Sequence, residues 1–353
     1  MRGVDGPDQP EIPDDITVED LGFLHWWGMP TLFRCEHDPD PTHCDIALVG
    51  VPHSTGNCTT WRDQHLGPRS FRDISMAYRR LHFTWQFDPW NAVRVRDVGD
   101  VAIRNTLVND VAVREIEAFY RDIDAAGARP VSFGGDHSIS LAILRGIAGP
   151  QAQLTDRRPA ALVHFDAHYD TYDDFPNWYG AYDSAGHWAS KSLHEQHVDA
   201  TTSIQIGIRG HDVLMDPGKT SRELGYRIVT KDEFDDDLGI EGTVALIRER
   251  VGDLPVYISF DLDVLDTAVA PAVSNPEPGE AGLTMKEAIR IIQGMRGMDV
   301  IGADVVELMP SVDSPNSMTT QNATRLAFEL ICLIADRLAA ATPPPDPNTG
   351  ARS

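Results

Sequence analysis

Little in this chain suits it to an oxidising compartment, a membrane or a polyanion. Its 353 residues contain four cysteines, Cys35, Cys44, Cys58 and Cys332, with no CxxC pair among them. Cysteines scattered in this way speak against a disulfide scaffold and against a thiolate metal site. No run of about eighteen apolar residues exists, which argues against a membrane-spanning helix. The opening stretch, MRGVDGPDQPEIPDD, lacks the basic and apolar regions of a signal peptide, so a cytoplasmic location is expected. Basic residues are scarce as well: 30 Lys and Arg stand against 54 Asp and Glu, a formal net charge of −24. Nucleic acid and anionic membranes need basic patches, and this balance excludes them as partners. It is compatible with a small cationic substrate.

What is present is a full core. The apolar fraction of 42% and the length suit one large α/β domain, expected over residues 16–341. A polar N-terminal tail (1–15) and a Pro-rich C-terminal tail (342–353, TPPPDPNTGARS) flank it. Short β-branched runs predict strands at 46–52, 94–100, 130–136, 160–168, 203–209, 226–229, 256–264 and 300–308. Several are apolar on both parities, as expected of strands covered on both faces. Helices fit between them. Residues 109–126 have helical apolar spacing and are followed by Gly127. Residues 284–295 open on Thr284 and Glu287, a capping box. Residues 316–340 form a closing helix. Such alternation implies a parallel sheet with helices on both faces, and ligands bind such sheets at the carboxyl ends of strands.

The polar residues sit at those ends. In LVHFDAHYD (162–170), His164, Asp166, His168 and Asp170 alternate and would share one face of a strand. GGDHS (134–138) follows a second strand. SFDLDVLD (259–266) closes a third, with Asp261 and Asp263 on one face, and Glu307 ends a fourth. Unpaired buried carboxylates cost several kcal/mol each, so cations belong among them. The candidate ligands are His137, Asp166, His168, Asp170, Asp261 and Asp263. Carboxylates with some imidazole suit manganese, nickel, iron or zinc better than calcium or magnesium. Six ligands suit two ions, whose charge offsets the four carboxylates. A bound metal lowers the pKa of water from 15.7 to about 7, so the reaction class is metal-assisted hydrolysis. His164 lies deeper and reads as a buried, hydrogen-bonded histidine.

GGDHS, DAHYD and SFDLDVLD resemble, in order and spacing, the three signatures of the ureohydrolases, the family of arginase and agmatinase. The similarity runs from about residue 20 to about 340. It includes GFLHWWGMPTLFR (22–34), similar to the N-terminal segment of agmatinase-like members, and GVPHSTGN (50–57), similar to their first strand and loop. The resemblance implies a three-layer α/β/α fold around a parallel, roughly eight-stranded sheet. It implies two divalent ions, Mn2+ or Ni2+. His137 and Asp170 would hold one, His168 and Asp263 the other, with Asp166 and Asp261 bridging. Asp170 would also accept a hydrogen bond from the attacking hydroxide. Glu307, in ADVVELMP, matches the carboxylate that holds the guanidinium. His187, in AGHWASKS, matches the histidine that protonates the leaving amine, while His194 and His197 read as surface residues of a helix.

The sequence departs from that family on the substrate side. Thr267 follows the third aspartate where proline is usual. AVSNP (272–276) replaces a Gly-Thr-Gly-Thr-Pro-like string, PGEAG (278–282) replaces Pro-Gly-Gly, and GIRG ends in Gly210 where Asp is usual. Residues 170–188 are rich in aromatics (Phe175, Trp178, Tyr179, Tyr182, Trp188). Trp178 and Trp188 are candidates to stack on an alkyl-guanidinium, and Trp61 and Arg62 to reach the same cleft. The expected activity is an agmatinase-like hydrolase that releases urea or a substituted urea from a guanidino compound other than arginine. Guanidino acids, agmatine, free guanidine and alkyl biguanides such as metformin are the candidates. The alternatives are a metal-dependent deacylase on a related fold and a non-catalytic subunit paired with an active homologue. The family assembles as homo-trimers or hexamers, and a hetero-oligomer with a homologue is the variant to consider.

Overall fold

The computed structural model describes residues 24–57, 62–173, 182–212, 215–279 and 281–341. Eight strands appear where runs of β-branched residues occur: β1 (Ile46–Gly50), β2 (Val95–Asp100), β3 (Arg129–Phe133), β4 (Ala161–Phe165), β5 (Ile204–Ile208), β6 (Arg227–Thr230), β7 (Val256–Asp261) and β8 (Val300–Val306). They form one sheet in the order β2-β1-β3-β8-β7-β4-β5-β6, with every pairing parallel. The chain passes from β3 to β4 over a gap that β7 and β8 later fill. Such a switch in strand order opens a crevice at the carboxyl ends.

Helices cover both faces, and strand parity decides which core each side chain joins. Val163 and Phe165 of β4, with Ile258 and Phe260 of β7, pack under the Met285–Gly294 and Met318–Ala341 helices. Leu162 and Tyr257 face the other way, toward the Asn109–Ala126 and Ile139–Ile147 helices. The helix ends follow local chemistry. Gly127, at φ 72, closes the first of these helices in a left-handed conformation. Thr284 and Glu287 form the expected capping box.

All strands but β6 are shorter than the sequence runs. β4 stops at Phe165, so Asp166–Asp170 is a loop and not, as the alternation suggested, the end of a strand. The reason is local: Asp166 Oδ1 accepts the backbone N–H of His168 at 2.6 Å, an Asx turn that bends the chain. Asp261 does the same with the N–H of Asp263, at 2.9 Å. The two tails, Cys58, Trp61, Phe175, Trp178 and Tyr179 lie outside the described residues. The other three cysteines are buried free thiols. No helix among the described residues is long and apolar enough to cross a membrane.

Candidate metal centre

The loops after β3 and β4 and the end of β7 with the turn after it bring all six predicted ligands together. His137 Nδ1 lies 3.1 Å from Asp166 Oδ2, 3.1 Å from Asp170 Oδ2 and 3.0 Å from Asp261 Oδ2. His168 Nδ1 lies 3.0 Å from Asp263 Oδ2 and 3.3 Å from Asp166 Oδ1. Asp166 therefore turns one oxygen to each imidazole. The six side chains fall into two overlapping groups, with Asp166 common to both.

Two observations test whether cations fit here. His137 Nδ1 is buried and makes no hydrogen bond of acceptable geometry, although three carboxylate oxygens converge on it. The other ring nitrogen, Nε2, faces Ser259 Oγ at 2.8 Å, and Ser259 Oγ donates to Asp304 Oδ1 at 2.8 Å. Ser259 donates its hydroxyl hydrogen to Asp304 and accepts from Nε2–H, which leaves Nδ1 as the ring atom open to a proton or a metal ion among the carboxylates. The second observation is electrostatic. Burial, Asp263 and Asp166 together push the Asp261 carboxyl well above the usual carboxylate range. Burial opposes protonation of His137, yet Asp166, Asp170 and Asp261 hold it well above the ordinary imidazole range. A cluster that draws in protons this way is short of positive charge. The donors, oxygen with two imidazoles, suit divalent transition metals.

A buried polar row supports the cluster from beneath. Ser132, Asp304, Ser259, His164 and Gln205 are register neighbours across β3, β8, β7, β4 and β5, and all are fully buried. Asp304 also accepts from Ser140 Oγ at 2.6 Å and Tyr257 OH at 2.7 Å. Gln205 donates to the Tyr169 carbonyl at 2.6 Å, which fixes its amide, and to His164 Nδ1 at 3.2 Å. His164 Nε2–H then donates to Asp166 Oδ2 at 2.8 Å. His164 thus hydrogen-bonds the candidate ligand Asp166 and lies close enough to His137, Asp166 and Asp170 to share a metal with them.

Outside the ligands, a cavity of about 190 Å³ opens beside His137, His168, Asp170 and Asp261, with Glu307 on its wall. Glu307 follows β8 at φ 67 and is buried. Its Oε1 accepts from His137 N (2.7 Å) and Asn57 Nδ2 (3.0 Å). Its Oε2 accepts from Gln64 Nε2 (2.9 Å) and Ser274 Oγ. Burial and the nearby Asp136 push its carboxyl up to about 7. Asp136 itself is a clasp between loops: it accepts from Gly56 N at 2.7 Å and Ser138 N at 3.1 Å. A Cβ on Gly56 would lie 2.1 Å from Ser138 Oγ, so only glycine permits this approach.

The remaining side chains singled out in the sequence are placed as follows. Trp188 does not line the cavity. It is fully buried and its indole Nε1–H donates to Asp170 Oδ2 at 2.8 Å, because the helix Trp188–His194 starts behind the cluster. His197 lies beyond that helix, half-buried, with Nδ1 2.8 Å from the Ala148 carbonyl; His194 ends it, exposed beside Asp173. His187 is buried with Nδ1 2.6 Å from Ser184 Oγ, while Ala185 and Gly186 line the cavity. Tyr182 lies at the surface under Lys191, and Arg62 is exposed.

The sequence reasoning missed Glu277. Its Oε1 faces His168 Nε2 at 3.2 Å and its Oε2 faces His211 Nδ1 at 3.4 Å. The signal was the departure at Gly210: a Cβ there would lie 2.2 Å from Glu277 Oε2. The residue that breaks the expected GIRD pattern makes room for a carboxylate that faces a candidate ligand imidazole.

The fold and this arrangement define an α/β protein of parallel-sheet architecture with a His/Asp cluster that could hold metal ions at the carboxyl end of its sheet. A family model described as the Arginase family matches residues 44–332, and the chain belongs to that family. It is similar to guanidinopropionase of Pseudomonas aeruginosa, with 39% identity over 88% of this chain and 93% of that protein. Guanidinobutyrase of the same organism is 36% identical over 87% and 92%. Among solved structures, proclavaminate amidino hydrolase from Streptomyces clavuligerus superposes with a TM-score of 0.81, at 32% identity over 89% of this chain and 99% of that one. The chain is accordingly a ureohydrolase, acting on a guanidino C–N bond.

Proposed function

We propose that the chain binds two divalent ions, Mn2+ or Ni2+, and hydrolyses a small guanidino compound other than arginine to urea, or a substituted urea, and an amine. The observation that carries this reading is the orphaned Nδ1 of His137 amid three carboxylate oxygens, beside a cavity walled by Glu307. When bound, the metals supply hydroxide at neutral pH and polarise the site.

The protein's own groups do the rest. His137, Asp166, Asp170 and Asp261 would hold one ion; Asp166, His168, Asp261 and Asp263 the other. Ionised Glu307 anchors the guanidinium and turns its carbon toward the metal side. Asp170 accepts a hydrogen bond from the attacking water. His187 carries the proton to the leaving amine, with Ser184 fixing its ring. Trp178 would supply an aromatic contact for the tail.

The lining bears on the tail. No Lys or Arg lines the central cavity among the described residues, and segments 58–61, 174–181 and 213–214 contain none in sequence. Arg209 lines an adjoining cavity that shares His168, Tyr172 and His211, so cationic tails and the carboxylate tails of the relatives named for guanidino acids both stay among the candidates. A urea-release screen over these compounds, with Mn2+ or Ni2+ added to metal-stripped protein, is expected to give urea from at least one of them and none from arginine. Absence of urea with every compound contradicts the catalytic reading and supports a subunit that needs a homologous partner. Assembly as a trimer or hexamer belongs to the same proposal.

A further inference from the structure

Trp188 touches the cluster at three points. Its indole N–H donates to Asp170 Oδ2 at 2.8 Å, the same oxygen that lies 3.1 Å from His137 Nδ1. Its ring lies 4.7 Å from the His137 ring, tilted 34°, and 4.9 Å from His164, edge-on at 75°. A buried tryptophan commonly gives its N–H to some partner, and many acceptors would serve for packing alone. Here the acceptor is a carboxylate aimed at an unpartnered imidazole nitrogen. Asp170 also holds a backbone φ of 52, a left-handed conformation that costs energy for a residue with a Cβ. The same helix start grips that backbone, through Ala189 N donating to the Asp170 carbonyl at 3.2 Å. Asp170 is thus held in a strained conformation from one direction, by main chain and side chain together.

The other half of the centre is held by a separate set of residues, including Arg209 Nη2 donating to the Asp263 carbonyl at 2.6 Å. His168 is oriented by Glu277, and Asp263 Oδ1 by the N–H of Ala167 at 3.0 Å. We propose that Trp188 is a positioning residue for one metal position alone: its N–H fixes Asp170 Oδ2 against His137, so the ion held there depends on Trp188 and the ion beside His168 does not. This rests on the binuclear reading of the site and extends it to a residue that touches neither substrate nor metal.

The test is a titration of metal-stripped protein with Mn2+ alone, followed calorimetrically. Loss of such supporting bonds typically weakens metal binding by about 10–100-fold. Trp188→Phe keeps a ring and removes the N–H; it is expected to weaken one of two sites by that factor and leave the second unchanged. In an Asp170→Asn background, Trp188→Phe should weaken binding no further, because the effect acts through Asp170. Two unchanged sites, equal weakening of both, or an undiminished effect in the Asp170→Asn background overturns the inference. If Trp188→Phe does not fold, the indole resonance of 15N-Trp-labelled protein reads the same bond. It must be protected from exchange and shift on Asp170→Asn; an unmoved resonance overturns the inference. Wild-type protein that takes up Mn2+ at two sites, whatever the variant does, leaves the binuclear reading standing; wild-type protein that takes up none removes both.

Discussion

Glu307 has to be an anion to hold a guanidinium, yet it sits buried with a carboxyl pushed up to about 7. Four donors reach its oxygens and keep ionisation within reach: His137 N, Asn57, Gln64 and Ser274. Below that pKa the carboxyl is protonated and cannot pair with the cation; above it the anion forms and is matched by the guanidinium. We expect kcat/KM to fall tenfold per pH unit below the pKa of Glu307 in the loaded enzyme, which neighbouring cations bring down from its metal-free position. Glu307→Gln should lower kcat/KM by two or more orders of magnitude, roughly 3 kcal/mol or more, and abolish that limb of the profile. A Glu307→Gln enzyme with the wild-type profile would remove Glu307 from the substrate site. Ser274 and Asn57 gain meaning here too. AVSNP departs from the string usual in the family, but its serine hydroxyl lands on Glu307, so the change alters how the anchor is held and leaves the anchor in place.

Among the elements, the β-strands position the chemistry and the loops aim it. All eight strands were legible, because parallel strands covered on both faces leave continuous apolar runs. The gathering of the six candidate ligands was legible too, since carboxylates at the ends of such runs are costly unless cations meet them. What was not legible is geometry that depends on distant partners. The turn at Asp166 ended β4 early, and periodicity does not register an Asx turn. Trp188 was placed at the substrate because aromatic composition says nothing of which way a helix start faces. Ser132, Asp304, Ser259, His164 and Gln205 form a row only once strand order is known. Edge strand β2 shows the same dependence. Asp97 on β2 pairs with Arg72 (Nη2–Oδ1 2.9 Å, Nε–Oδ2 2.9 Å) and accepts Leu32 N at 2.9 Å, joining the N-terminal segment to the sheet. Burial opposes its ionisation, but Arg72 and the N–H groups of Leu32 and Gly99 bring its carboxyl below the usual range. A depressed folded pKa stabilises above the unfolded value of about 3.9, and that contribution is lost as pH falls through the folded one. Asp97→Asn should cost roughly 3–5 kcal/mol in urea unfolding at pH 7, with the difference from wild type narrowing in acid. A loss under about 1 kcal/mol would mean that the pair contributes little.

For the molecule as a whole, the net charge of −24 and the acidic centre act in the same direction. Both attract cations, and at the centre the attraction is organised: four carboxylates and two imidazoles converge from three strand ends of one sheet, with a polar row beneath them. The fold places these groups where the order of strands switches, and every other functional assignment depends on what neutralises them. The most direct measurement is therefore the metal content of the purified chain, by mass spectrometry of the metals and by anomalous diffraction at the site. Two transition-metal ions per chain, one beside His137 and one beside His168, is the expected result. One ion, or none after incubation with Mn2+ and Ni2+, would contradict the account.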